Sequence, residues 1–306
     1  MRFGAQSEYK TLKKILLHRP GREVGLVTPE NTKEFLFREP VNLKKFRKQH
    51  DELRELLLDE GIEILLLREL LEGDQIKKIL ERSPNSIYVR DLCSITKGGA
   101  IVMKMAKKAR FKEPELFKRV MKRLRIPISE LSEKARLEGG DFVYLSEDEL
   151  MIGFGPRSNL EGIREVKRLI LSRSLKSLLA VPLPKERVHL DGCLMIPSSR
   201  IALMHEKSVD FKPSLLFRDE DYESVLLKDY LEEMDFDLIQ ITDEEVLNFG
   251  CNVVGLGGNK ILAYTGNSRI RRELEERGLE VLEFLGDELK KGGGGPHCMT
   301  CPILRG

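Results

Sequence analysis

The sequence predicts an α/β fold in which five strand–strand–helix–strand modules close into a ring around a shared centre. Three observations predict it. Four segments repeat one layout, two apolar runs separated by about two turn-forming residues, as tight hairpins require. Each hairpin is followed by a charged stretch whose apolar residues recur near i, i+3, i+4 and i+7, and then by a short apolar run. The first and last segments each lack what the other supplies, so pairing TLKKILL with CMTCPILRG completes a fifth module and removes two sheet edges.

In chain order, the first module offers TLKKILLHRP as a strand, a helix from about Leu43 to Glu60, and IEILLL as a second strand. The hairpins that follow are SIYVRDLCSIT/KG/GAIVMKM, GDFVYLS/ED/ELMIGFG, HLDGCLMIPS/SR/IALMH and NVVGLGG/NK/ILAYT. Their helices are read as PELFKRVMKRL, LEGIREVKRLILSR, SLLFRDEDYESVLLKDYLEEM and NSRIRRELEERG, with SLLAVPL, FDLIQI and LEVLEFL among the closing strands. The reading treats residues 1–306 as a single catalytic domain, with 41% hydrophobic residues to fill its core.

Lys and Arg total 52 against 50 Asp and Glu, with the signs interspersed, so no basic block points to nucleic acid. No window approaches the roughly 18 apolar residues of a membrane span, and MRFGAQSEYK lacks an apolar signal core. A soluble, cytoplasmic protein is expected. The five cysteines, an odd number scattered over a long chain, read as reduced thiols rather than a disulfide framework. Abundant Lys, Glu and Arg with no Trp resemble thermophile compositions.

If the ring closes, the first strand of each hairpin faces the centre. Those strands bring Arg90 and Asp91, Glu138 and Asp141, His189 and Asp191, Asn252, and finally His297 and Cys298. A Cys, a His and several carboxylates are the parts of a nucleophilic site for a cationic substrate. Cys298 follows the glycine run 292–295, where backbone can approach a ligand closely. Taken by themselves, Cys298 and Cys301 also fit a CxxC redox or metal pair, although one such pair is weak evidence for zinc. On a strand, His189 and Asp191 share a face about 7 Å apart, whereas the neighbours Arg90 and Asp91 point to opposite faces. Two inward carboxylates would cradle a guanidinium, whose paired N–H donors match them.

These motifs resemble the guanidine-modifying, or amidinotransferase, superfamily along nearly the whole chain, and within it the arginine deiminase family. The resemblance is carried by LKKILLHRPGREVGLVTPEN, PNSIYVRD, EGGDFVYLSEDELMIGFGPRSN, VHLDGCL and GGGGPHCMTCPILR, in the family's order. It implies a five-bladed α/β propeller, the pentein fold, built of ββαβ modules. It also implies roles: Asp91 and Asp191 bind the guanidinium, Glu138 holds His189, His189 moves protons, and Cys298 attacks the central carbon. Asn85 and Tyr88 match positions lining the substrate site, and Arg110 and Arg157 match arginines that recognise the amino acid end. Arg90, Asp141 and His297 complete the expected substrate-binding set.

Two departures stand out. Gly293 occupies the place of an arginine that usually grips the substrate's α-carboxylate, with Lys291 nearby, and the long helical insertion of bacterial arginine deiminases is missing. The reading expects hydrolysis of L-arginine to L-citrulline and ammonia through a covalent amidino-thioether. Its alternatives are an amidinotransferase, an ornithine-forming arginine dihydrolase, or a noncatalytic arginine-binding protein. Neither metal nor cofactor is called for, the expected partner is a small guanidino molecule, and a homo-oligomer is compatible with the reading.

Overall fold

Residues 1–171, 173–218 and 221–306 are described by the computed structural model. Among the described residues, seventeen strands form five sheets, and the repeat inferred from sequence is visible in their pairing. The first sheet joins β1 (Leu12–Leu17), β2 (Glu63–Leu66) and the last strand of the chain, Cys301–Arg305, which runs antiparallel to β1. The helix Leu43–Asp59 makes the crossover to β2. Asn42 caps its start by accepting from the Lys45 N–H at 3.1 Å.

The second sheet holds β3 (Cys93–Thr96), β4 (Gly99–Val102) and β5 (Ile128–Glu130). The third is built on β6 (Phe142–Tyr144), β7 (Glu149–Phe154) and β8 (Ser177–Pro182). In each, a hairpin is followed by a helix and a strand parallel to the hairpin's second arm. The run Ser177–Pro182 is buried along its whole length, as expected for an interior strand covered on both faces. Helix Leu160–Ile170 buries Ile163, Val166 and Ile170 and turns its Arg, Lys and Glu residues outward. Asn159 caps it and also accepts from the Arg136 N–H, tying the helix start to the preceding loop.

One expectation fails here. The pattern of SLLFRDEDYESVLLKDYLEEM predicts a helix, but Ser214–Arg218 is β11 and Asp221–Val225 is β12, and helix begins only at Leu227. Residues 219 and 220 of that stretch lie outside the described residues. β11 pairs antiparallel with β8 and extends the third sheet to five strands, in the order β12-β11-β8-β7-β6. SLLFR serves a sheet edge as well as a helix, and pairing with β8, more than 30 residues away, decides between them.

The fourth sheet contains β9 (Leu194–Ser198), β10 (Ile201–Met204) and β13 (Asp237–Gln240). The fifth contains β14 (Val254–Gly257), β15 (Lys260–Tyr264) and β16 (Glu280–Phe284), followed by the C-terminal strand β17, already placed beside β1. Apolar clusters fill the layers between sheets and helices; one unites Leu16, Val89, Leu92 and Ile303 from the first two units. No helix among the described residues is long and apolar enough to cross a membrane.

Candidate active site

The polar residues expected on the inner strands sit instead in turns just ahead of them. Val89–Leu92 carries Arg90 and Asp91 into β3, Gly139–Asp141 follows Glu138 into β6, and Leu190–Gly192 follows His189 toward β9. Asn252 precedes β14 and Cys298 precedes β17. Strand alternation therefore does not govern these side chains, and Arg90 and Asp91 are both buried rather than opposed across a sheet. The turns touch one another closely. A Cβ on Gly139 would stand 2.0 Å from the Arg90 carbonyl oxygen, and one on Gly140 would stand 2.6 Å from His189 Nδ1, so the EGGD segment needs both glycines.

His189 is held between two carboxylates. Its Nε2 hydrogen-bonds Glu138 Oε2 at 2.8 Å, and its Nδ1 faces Asp91 Oδ1 at 3.5 Å. Burial disfavours the imidazolium, but Asp91, the Glu138 bond and Asp141 outweigh it and lift His189 to about 9. Glu138 also accepts from Arg157 Nη1 and from the Ala106 N–H, both at 2.9 Å. Burial would raise its carboxyl; the His189 bond, together with the His189, Arg157 and Arg110 charges, holds it down near 2. Asp91 accepts from Arg110, whose Nε reaches Glu113 Oε2 at 2.8 Å and whose Nη2 donates to the Asn85 and Tyr88 carbonyls. Asp141 fastens the next turn by accepting from Ser158 Oγ and from the Leu190 N–H.

Cys298 lies against a different set. Asn252 Nδ2 donates to its sulfur at 3.2 Å, Asn252 Oδ1 accepts from its backbone N–H at 3.3 Å, and Asp191 Oδ2 is 3.6 Å from the sulfur. Burial and the Asp191 and Asp91 charges push the thiol well above its ordinary value, with only partial relief from the Gly295 backbone and Asn252. Asp191 bonds His297 Nδ1 at 2.8 Å, and His297 Nε2 reaches Glu8 Oε2 at 3.2 Å. Burial raises both carboxyls, but the His297 contacts win: Asp191 lies below its ordinary value and Glu8 near 2.

His189, Asp191, Asn252 and Cys298 line one cavity of about 150 Å3, together with Arg38, Arg187, Phe249 and Gly293. The other site residues expected from sequence stand behind it. Asp91 and Glu138 flank the two ring nitrogens of His189, and His297 supports Asp191. Asn85 donates to the Phe35 carbonyl, and Tyr88 packs on the glycine run. Arg110 and Arg157, expected at the amino acid end of a substrate, are spent on buried carboxylates and lie outside the cavity lining. Arg90 is buried, with Nε and Nη2 lacking hydrogen-bond partners.

Sequence reasoning missed Arg38, Arg187 and Glu8 as participants. Each lies in a loop with no motif of its own, so only the assembled fold brings it to the site. Asn252 was legible as a polar inner residue but not as a partner of the sulfur. Asp91, Glu138 and His189 offer atoms within 4.8 Å of one another, the spacing of a metal site. Arg110 and Arg157 already donate to the two carboxylates, which places positive charge where a cation would bind.

The family model described as arginine deiminase matches residues 72–305. The arginine deiminase of Mycobacterium marinum is 24% identical over 393 residues, covering 99% of this chain and 98% of that protein. The uncharacterized protein YkgA of Bacillus subtilis is 24% identical over 301 residues, covering 98% and 95%. Among solved structures, a Pseudomonas aeruginosa DDAH complexed with citrulline superposes with a TM-score of 0.74 at 22% identity, covering 96% of this chain and all of that one. The N-terminal domain of ArgZ, a cyanobacterial arginine dihydrolase bound to product, superposes at 0.75 with 19% identity, covering 95% and 97%. The structural likenesses establish the fold type.

Proposed function

The chain belongs to the arginine deiminase family and is a hydrolase acting on C–N bonds of linear amidines, and from that premise we propose that it hydrolyses L-arginine to L-citrulline and ammonia, with Cys298 as nucleophile. The observation that carries this reading is the convergence of Cys298, Asp191 and a carboxylate-held His189 on one cavity. The proposal places the five sheets around one axis as a closed propeller, in a cytoplasmic protein.

Before substrate binds, His189 carries its proton and Cys298 keeps its own. A guanidinium entering beside Asp191 brings the positive charge that the sulfur otherwise lacks, so substrate binding favours loss of the thiol proton to solvent, His189 being already protonated. The thiolate attacks the guanidinium carbon, a C–S bond forms, and His189 gives its proton to the departing amino group as the C–N bond breaks. Ammonia leaves an amidino-thioether. Neutral His189 then takes a proton from water, the hydroxide adds to the same carbon, and C–S cleavage returns the sulfur and releases citrulline. Glu138 acts through His189, fixing its orientation and favouring its charged form.

Incubation with arginine, agmatine and methylated arginines, followed by mass spectrometry of all products, tests the reading. Citrulline with one ammonia supports it. Ornithine with further ammonia marks a dihydrolase, and amidino transfer to an added amine marks a transferase. Absence of turnover on every guanidine sinks the hydrolase assignment.

A further inference from the structure

We propose that Arg38, a residue of the loop ahead of helix Leu43–Asp59, binds the anionic end of the substrate in place of the side chain that Gly293 lacks. This inference rests on the guanidine-hydrolase reading and specifies its substrate class: a guanidine carrying a carboxylate at its far end.

Charge sets the orientation of the substrate. Two carboxylates line the cavity, Asp191 and Glu186; Asp191, beside the Cys298 sulfur, draws a cationic head there, and a zwitterionic substrate then needs a cation elsewhere on the lining for its carboxylate. Besides His189, which is committed to Glu138, two cationic side chains among the described residues line the cavity, Arg38 and Arg187. Arg187 is engaged, with Nε donating to Ser208 Oγ at 2.7 Å and Nη2 lying 3.5 Å from Asp243 Oδ1. Arg38 makes no ion pair among the described residues. Its Nη1 donates to the Leu247 carbonyl at 3.0 Å, and a guanidinium has five N–H donors, so most of its fork remains available. Loss of solvation pulls its pKa below the usual arginine value, with no carboxylate to offset it.

Position favours the same role. The Arg38 and Glu39 N–H groups both donate to the Lys291 carbonyl, at 2.8 and 3.1 Å, which fixes the loop to the glycine run. The guanidinium carbon lies 4.3 Å over the Phe249 ring, so the fork is stacked in place before a ligand arrives. Gly293 has a φ of 91°, and a Cβ there would meet the Leu36 carbonyl oxygen at 3.4 Å and Arg38 Cγ at 3.9 Å. The space beside Gly293 is thus filled by the Arg38 stem. The cation has moved from the glycine run to the loop that packs on it.

The test uses the full chain in three variants, Arg38→Ala, Arg38→Met, which keeps an apolar stem on Phe249, and Arg38→Lys, which keeps a charge. For each, kcat and KM are measured for arginine and for agmatine, which lacks the carboxylate. In the Cys298→Ala background, titration calorimetry measures binding of arginine and argininamide. The expected result is a fall in the arginine-over-agmatine ratio of kcat/KM of roughly 10–100-fold, carried mainly by KM, with the binding preference for arginine over argininamide falling alike and Arg38→Lys restoring part of it. Ratios that stay constant overturn the inference, whether both ligands weaken together or neither does. So does failure of the Cys298→Ala protein to prefer arginine while Arg38 is intact. Binding decides the role of Arg38 even if the wild-type chain turns over no guanidine, an outcome that would sink the hydrolase reading separately.

Discussion

On the His189 side of the cavity, Asp91 and Glu138 press on an imidazole and favour its charged form; on the Cys298 side, Asp191 and Asp91 press on a thiol and oppose its charged form. The same kind of neighbour thus charges one group and discharges the other. The His189 side also contains its own cations, with Arg110 donating to Asp91 and Arg157 to Glu138. The Cys298 sulfur receives only neutral donors, the Gly295 backbone and the amide of Asn252. One side is electrostatically complete without a ligand, and the other waits for positive charge to arrive with the substrate.

The sharpest way to break this contrast is to remove the group that waits. Cys298→Ala is expected to lose turnover by at least on the order of 10⁴-fold, measured as product formation by mass spectrometry. A variant with wild-type rate would end the nucleophile assignment. Next comes the complete side. Glu138→Gln takes away a charge that raises His189, so its pKa falls from about 9 toward the ordinary 6.5, and the alkaline limb of kcat/KM moves down with it. A loss of about 10²-fold at neutral pH is expected; an unmoved limb would show that Glu138 does not govern His189.

That pair also stabilises the fold. Glu138's depressed pKa contributes stability above its unfolded value near 4.5 that is lost as pH falls toward 2, and His189's raised pKa contributes stability below 6.5 that is lost as pH rises through about 9.

The smallest effect belongs to the neutral donor. Asn252→Ala removes an N–H that favours the thiolate, so the Cys298 pKa rises further, alkylation of the thiol slows, and kcat falls by about 10-fold. The rate of iodoacetamide labelling against pH reads this cleanly, because the other four cysteines are buried. Faster labelling would mean that Asn252 shields the sulfur rather than polarising it.

The modular plan was legible in sequence because the periods of strand and helix alternate in a fixed order and both leave local marks. TLKKILL and CMTCPILRG could be paired because each terminal segment was an unfinished module. The stretch from Ser214 was misread because its charges and apolar residues suit a helix, while the strand that captures it lies elsewhere in the chain. Cys298, His189 and the carboxylates stood out by residue type and by adjacent glycines. Their partners did not: Glu8 reaches His297 across 289 positions, and Ser158 reaches Asp141 from beyond a whole hairpin. A turn that interrupts a strand by three residues leaves no signal in a period-two pattern, so the side chains were assigned faces they do not have.

The strand β12 closes the outer edge of the five-stranded sheet, and no further strand pairs with it among the described residues. Open edges invite a second molecule to add its own backbone, the first step toward clumping. Here Asp221 and Glu223 stand exposed along that edge, beside Tyr222, which is 66% exposed. Glu223 is paired with Arg218 on the neighbouring strand, so Asp221 is the acid that an identical neighbour would have to crowd against its own. The acidic letters that made this segment look like a helix serve as a guard on colloidal behaviour.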